Sequence, residues 1–594
     1  GVGVGVTDTA SALTITNSTI QADTGDIVLN STAAENVNFN LAAKAIAGVS
    51  VGVIVSSRSL TNQLIIDGGS VNAVTGNLSV TALTGKNQSL VNLSNAGKSG
   101  KFALAVTVSV GDALTEAAVS GDVDAGGDIA VNAETVYFGR TSATTTTLGV
   151  TDPVKQAVKN AASGLLASVQ TAVQGSKEQA GGASEGNETP KAGFGGGSSI
   201  DVGLENDETY ASIGGSYRDL DNDRALVVLD ATTVDARGDF GIDATQRFAS
   251  AIEGGAGLSR DVSSGTGKLN RIAKAEAAFL GVPESQLIGT QGNALFLNVS
   301  VSSMTGVTVA EIGSAATVNA DKITVNASTA YDLNPFEQFT TAWDGLQDQW
   351  AAFNAEIAEF QLLDENTDLA TNPLSQAPNA PVLLDVINPL NYLTTTTASK
   401  GNLPTPGDGS GDDRKDQELA VGITVNYFNT SNETRAVIRD GATVTARGTG
   451  SDGGVIVNAQ TSGLFIHMAN KPTRLAPGST GPNNGIGGAV SVSRNVDVVE
   501  ALIEGDADIT TDTLVVTALN DKLFITGVFA GGSAAKVSIN AGVGANLIDN
   551  TTTARISDQA TFDAGNVVVD DKETADAWGV CGVTSRSEND GVGA

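Results

Sequence analysis

The stretch GVSVGVIVSSRSLTNQLIIDGGSVNAVTGNLSVTA (Gly48–Ala82) decides how the chain is read. Its first residues place Val or Ile at every second position, the period of a β-strand with one buried face. DGG and TGN then break the alternation, putting Gly or Asn where a turn needs a positive φ. LSVTA resumes the period of two.

The same phrase returns along the chain: an alternating strand, a polar stretch, A-x-I/V, a Gly turn, and a strand ending V-N-A or a close variant. Copies cover Gly1–Ser31, Gly48–Ala82, Ala103–Ala133, Ala294–Ala327, Leu419–Ala459, Gly487–Ala518 and Lys536–Asp571, with a weaker one ending at Phe240–Ala244. The closing strands carry Leu29, Val80, Val131, Ile242, Val325, Val457, Val516 and Val569, spaced 51, 51, 111, 83, 132, 59 and 53 residues apart. A unit of about fifty residues interrupted by insertions is the signature of a solenoid or array. The expected fold is all-β, an elongated, right-handed parallel β-helix (β-solenoid) with α-helical insertions, each unit holding two rungs that bury Val, Ile, Leu and Ala. A row of β-sandwich modules is the alternative; it calls for about a hundred residues and a core Trp or Tyr per module.

The expected division is solenoid over 1–136, 200–248, 291–329 and 419–594, with insertions at 137–199, 249–290 and 330–418. In the first insertion, Thr151–Gly175 has a cap, Pro153 at the first turn and one apolar face, predicting a helix before a Gly/Ser-rich linker. A shorter helix is expected around Leu269–Leu280. In the third, Phe336, Phe339, Trp343, Leu346, Trp350, Phe353, Ile357 and Phe360 follow a 3-4-3-4-3-4-3 spacing. That is a heptad seam, packed on the solenoid or on another subunit. Asn372–Gly411 holds six of the chain's 13 Pro and reads as an extended linker.

Composition narrows the function. With 66 acidic against 33 basic residues the net charge is −33, which excludes nucleic acid as a natural partner and disfavours anionic membranes. Divalent cations suit such a surface, and so does plain solvation. One Cys excludes an internal disulfide, and little oxidisable sulfur suits life outside the cell. No apolar run reaches the length of a membrane span. The chain lacks an initiator Met and ends on GVGA (Gly591–Ala594), as if the next copy were starting, so it reads as an excerpt of a longer array.

Catalytic chemistry finds few residues. His467 is the only His, so neither a zinc site of familiar type nor a Ser-His-Asp triad is easily built, and a structural role is expected. Cys581 is expected to be a buried strand residue. Asp219, Asp221, Asp223 and Asp230 have spacing like a calcium loop, although Arg224 replaces its Gly and Asp its final Glu. Asp408–Glu418 and Gly121–Asp128 are looser candidates. Calcium is thus the one candidate ion, and no other cofactor is expected.

The repeated phrase resembles the repeats of very large bacterial surface proteins, the filamentous-haemagglutinin-like adhesins and related exoproteins, including fusobacterial leukotoxin-type repeats. The resemblance covers most of the chain outside the insertions. It implies an exported, extracellular stalk or filament on a bacterial envelope, a structural and adhesin-like role without enzymatic activity. Its implied partners are copies of itself, other surface proteins, or a glycan or host-cell ligand. A carbohydrate-active β-helix enzyme and a calcium-dependent adhesin remain the alternatives.

Overall fold

The computed structural model describes residues 1–146, 195–219, 225–229, 231–257, 294–331, 395–401, 419–449, 453–469, 484–534, 537–587 and 590–593. Among these the regular structure is β-strand, and all the ladders of one large sheet are parallel. The helices expected at Thr151–Gly175, Leu269–Leu280 and Phe336–Phe360 lie outside the described residues.

Each unit makes one solenoid-like circuit of three walls. A first long wall is built by the opening parts of β2 (Ile27–Ala73) and β3 (Leu78–Val119), then β5 (Ile129–Thr146) and β10 (Phe240–Gly257). It continues through β13 (Lys322–Tyr331), β14 (Thr395–Gly401), β17 (Gly454–Ala469), β19 (Asp508–Ala534) and β21 (Thr561–Ser587). A second long wall runs from β1 (Val2–Ala22) through the later parts of β2 and β3 to β6 (Gly195–Ile213) and β11 (Ala294–Ile312). From there it passes to β15 (Leu419–Ile438), β18 (Asn484–Ile503) and β20 (Val537–Ile556). A short wall of about one strand's half-length closes the circuit, as at Gly121–Ala125, Thr232–Ala236 and Ala316–Ala320. β22 (Asp590–Gly593) lies beside β20 and takes the place of a further strand in the second wall.

The register reproduces the sequence spacing. Leu29 pairs with Val80, Val80 with Val131, Val131 with Ile242, Ile242 with Val325, Val325 with Val457, Val457 with Val516, and Val516 with Val569. A unit is therefore one circuit, not the two rungs expected. The turn signals every ten residues mark corners of a large circuit, because the long walls run up to about twenty residues before turning.

The recurring phrase now has a mechanical reading. A-x-I/V ends the second wall, as in Ala211 and Ile213; V-x-A forms the short wall, as in Val234 and Ala236; I-x-V-x-A opens the first wall, as in Ile323, Val325 and Ala327. All of these are buried in one apolar core where the three walls meet. Alanine keeps them close enough to pack. Glycines turn the corner into the short wall with positive φ, at Gly121 (96°) and Gly441 (82°). The Asn of V-N-A faces outward, where Asn458 Nδ2 donates to Asn326 Oδ1 and Asn326 Nδ2 to Asp243 Oδ1, each at 2.8 Å.

Away from the short wall the interior is polar, contrary to the expectation of an aliphatic core throughout. Threonine hydroxyls join the long walls: Thr115 to Thr84 (2.6 Å), Thr135 to Thr115 (2.7 Å) and to Thr209 (2.7 Å). Thr308, Thr329, Thr434 and Thr461 form a second such chain at 2.8–2.9 Å. The next layer carries buried charges and an aromatic pillar, in which Phe248 stacks on Tyr331 at 5.1 Å and Phe465 on Phe524 at 4.9 Å.

Candidate functional site

Three features stand apart from the repeat. The first is an antiparallel hairpin, β7 (Ser216–Asp219) with β8 (Ala225–Val228), inserted where the second wall turns into the short wall. It folds back on the outer side of the second wall, so Tyr217 and Leu229 pack on Ile65 and Ala118. Glu116 is buried beneath it. Gln63 Nε2 donates to Glu116 at 2.6 Å, and the Arg218 backbone N–H lies 3.1 Å from both carboxylate oxygens. Burial nonetheless pushes Glu116 up to about 7. A carboxyl whose pKa is higher folded than unfolded contributes stability below about 4.5, and that contribution is lost as pH rises through about 7. We expect the urea midpoint of the native chain to fall from pH 4.5 to pH 8 relative to Glu116→Gln. Parallel pH profiles for the two proteins would contradict this.

Beside the hairpin runs a cleft of about 200 Å³ that crosses successive strands of the second wall. Arg218 bonds Glu208 (3.0 Å) and the Tyr210 hydroxyl (2.6 Å); Arg435 forms ion pairs with Glu433 (2.9 Å) and Glu500 (2.6 Å); Arg439 bonds Glu311 (2.7 Å) and Glu504 (3.2 Å). Every guanidinium there already holds a carboxylate. The cleft is a seam stitching neighbouring circuits more than an open anion site.

The second feature is the buried charge inside the circuit. Arg58 and Lys86 both meet Glu205, and Lys86 also meets Asp207, all at most 4% exposed in their side chains. The Lys86 ammonium lies 4.9 Å from the Tyr137 ring centre. Burial raises Asp207 to about 6 against the pull of Lys86. Farther along, Lys522 pairs with Asp497, both fully buried. These residues escaped the sequence reading, which treated carboxylates as solvated. The signal was parity: Lys86 continues the inward set Leu78, Val80, Ala82, and Lys522 continues Leu514, Val516, Ala518.

The third feature is one edge. Residues 147–194, 258–293, 402–418, 470–483 and 535–536 all connect a strand of the first wall to the next strand of the second wall. Residues 332–394 leave at Tyr331 and return at Thr395, opposite Gly463 and Phe465 of β17, so that β14 completes the wall. Four long connections and the two-residue 535–536 therefore attach at a single corner, while 332–394 is inserted partway along the first wall that leads to it.

Of the calcium candidates, Asp219 ends β7 with its backbone opposite Ala225, while Asp221, Asp223 and Asp230 lie outside the described residues. Asp408–Glu418 also lies outside them. Among the described residues no cluster of three or more metal-ligating side chains forms. The heptad seam, Phe336 through Phe360, falls outside as well. His467 is buried with its ring 4.4 Å from Phe428, and burial lowers it to about 3, so it stays neutral. Cys581 is exposed rather than buried, because β21 has a neighbouring circuit on one side only. Among the described residues no helix is long and apolar enough to cross a membrane. Comparison with protein families, curated proteins and solved structures gives no match.

Proposed function

We propose that the protein is an elongated β-helical stem of a bacterial surface protein, adhesin-like and extracellular, that spaces and presents the segments inserted at its corner and on its first wall. The observation that carries this reading is the unbroken register from Leu29 to Val569, with four of the five long connections gathered at one edge and the fifth on the wall beside it. Repeat arrays put variable insertions on one side, and that side is commonly the binding one. A net charge of −33 suits a solvated outer surface. The stem is a spacing and binding element rather than an enzyme, and its contacts are lateral or end-to-end, with itself or another surface protein.

Replacing residues 147–194 and 332–394 by short Gly-Ser links tests this. The expected result is an unchanged β-sheet circular dichroism spectrum together with loss of self-association in sedimentation. Trp343→Ala with Trp350→Ala is expected to weaken association in the same direction. An excised chain that assembles as the parent does would overturn the reading.

A further inference from the structure

Lys86 and Lys522 occupy one column of the first wall, through Tyr137, Phe248, Tyr331 and Gly463. Facing it, one column of the second wall carries Asp207, Gly306, Asn432 and Asp497. The two lysines are equally buried but differently partnered. Lys86 has two carboxylates, which hold it charged and raise its pKa. Lys522 has one carboxylate, and burial lowers its pKa.

The surroundings of Lys522 differ in a further respect. Asp497 binds Lys522 Nζ through Oδ2 and accepts from Asn432 Nδ2 through Oδ1 at 2.7 Å. The amine and the carboxamide thus share one carboxylate. The Tyr331 hydroxyl donates to the Asn432 carbonyl oxygen, and burial keeps that hydroxyl protonated. Aromatic rings close the pocket: Lys522 Nζ lies 5.2 Å from the Tyr331 ring centre and 5.4 Å from that of Phe465.

We propose that Lys522 and Asn432 form an intramolecular isopeptide bond, with Asp497 as the catalytic proton carrier, covalently tying the two long walls across neighbouring circuits. Burial makes the amine give up its proton more readily than one in water, against the opposing pull of Asp497, which stands where it can take that proton and free the lone pair for attack. The Lys522 ammonium passes one proton to Asp497. The neutral amine adds to the Asn432 Cγ, and the charge developing on its oxygen meets the Tyr331 O–H. Asp497 then gives a proton to the amide nitrogen and takes one from the attacking nitrogen. The old C–N bond breaks, ammonia leaves, and Asp497 ends protonated beside the new secondary amide. No oxidant, metal or second substrate is required. Fixed proximity in a water-poor pocket replaces external activation of the amide. The carboxylates beside Lys86 are instead ion-paired with Arg58 and with Lys86 itself.

Intact mass spectrometry of the unmodified full chain, followed by tryptic mapping, is the test. The expected mass is lower than the sequence mass by one ammonia, with Lys522 uncleaved and its peptide joined to the one containing Asn432. Lys522→Arg and Asn432→Ala are expected to restore the full sequence mass, Asp497→Ala to slow or abolish the loss, and Lys86→Arg to leave it in place. An intact mass equal to the sequence mass, with both peptides linear, would overturn the proposal; so would loss of one water with the bond mapped to Asp497. The first measurement needs no variant, so a substitution that fails to fold leaves the test intact.

Discussion

Val325→Asp is expected to unfold the circuits around it. Val325 is fully buried, with Ile242 and Val457 above and below it in register and Ile312 and Val318 in the same core. Aspartate there removes apolar contact and brings in a carboxylate with no donor at hand, a change that costs about 4 kcal/mol or more. Because each circuit leans mainly on its neighbours, the loss is local first and splits the array into separately melting halves. Urea melts followed by circular dichroism should show a lower midpoint and a broadened or double transition. The control is Thr324→Asp, one residue earlier on the half-buried outer side, expected to change stability by no more than about 0.5 kcal/mol. Equal effects at the two positions would contradict the inward–outward assignment.

Lys86→Met has the second largest expected effect. It leaves Asp207 and Glu205 in the interior, with Arg58 meeting Glu205 but no cation for Asp207. Breaking a buried ion pair by removing one partner costs about 3–5 kcal/mol. Adding Asp207→Leu is expected to recover most of that loss, since a well-packed apolar pair is often as stable as the ionic one. The measurement is the coupling in a double-mutant cycle of urea unfolding. Additive effects would show that the two side chains do not share one site.

Much of this architecture was legible because strand periodicity and the spacing of Val and Ala repeat a single physical requirement. Residues such as Val80, Val131 and Ile242 have to meet at one distance from the short wall, so their sequence spacing is the register itself. The size of a circuit was harder to read, since a Gly turn looks alike whether it closes a hairpin or rounds a corner. The polar interior was hidden for another reason. Composition places Lys86, Asp207 and Thr135 outside, whereas strand parity places them inside, and in this chain parity wins because the backbone cannot slip by one residue without exposing the whole apolar set. The cleft depends on Glu116 and Arg218, more than a hundred positions apart in meaning as in sequence, brought together by a hairpin whose fold-back direction no local pattern announces. The calcium candidates and the heptad seam were readable as motifs; of these, Asp219 and Gly121–Asp128 lie among the described residues, where no metal-ligating cluster forms, and the rest fall outside them.

The central claim is that each unit makes one circuit, so that distant residues of one column stand a strand spacing apart. Asn30, Thr81, Asn132, Asp243, Asn326, Asn458, Thr517 and Asp570 form such a column on the outer side of the first wall. Seven steps at the usual strand spacing separate Asn30 from Asp570 by about 34 Å. Spin labels at these two exposed positions, in a Cys581→Ser background, make the distance measurable by double electron–electron resonance. A narrow distribution near that value is the predicted result. Two rungs per unit would roughly double it, and a row of sandwich modules would carry it beyond the range of the method; either outcome would contradict the one-circuit register.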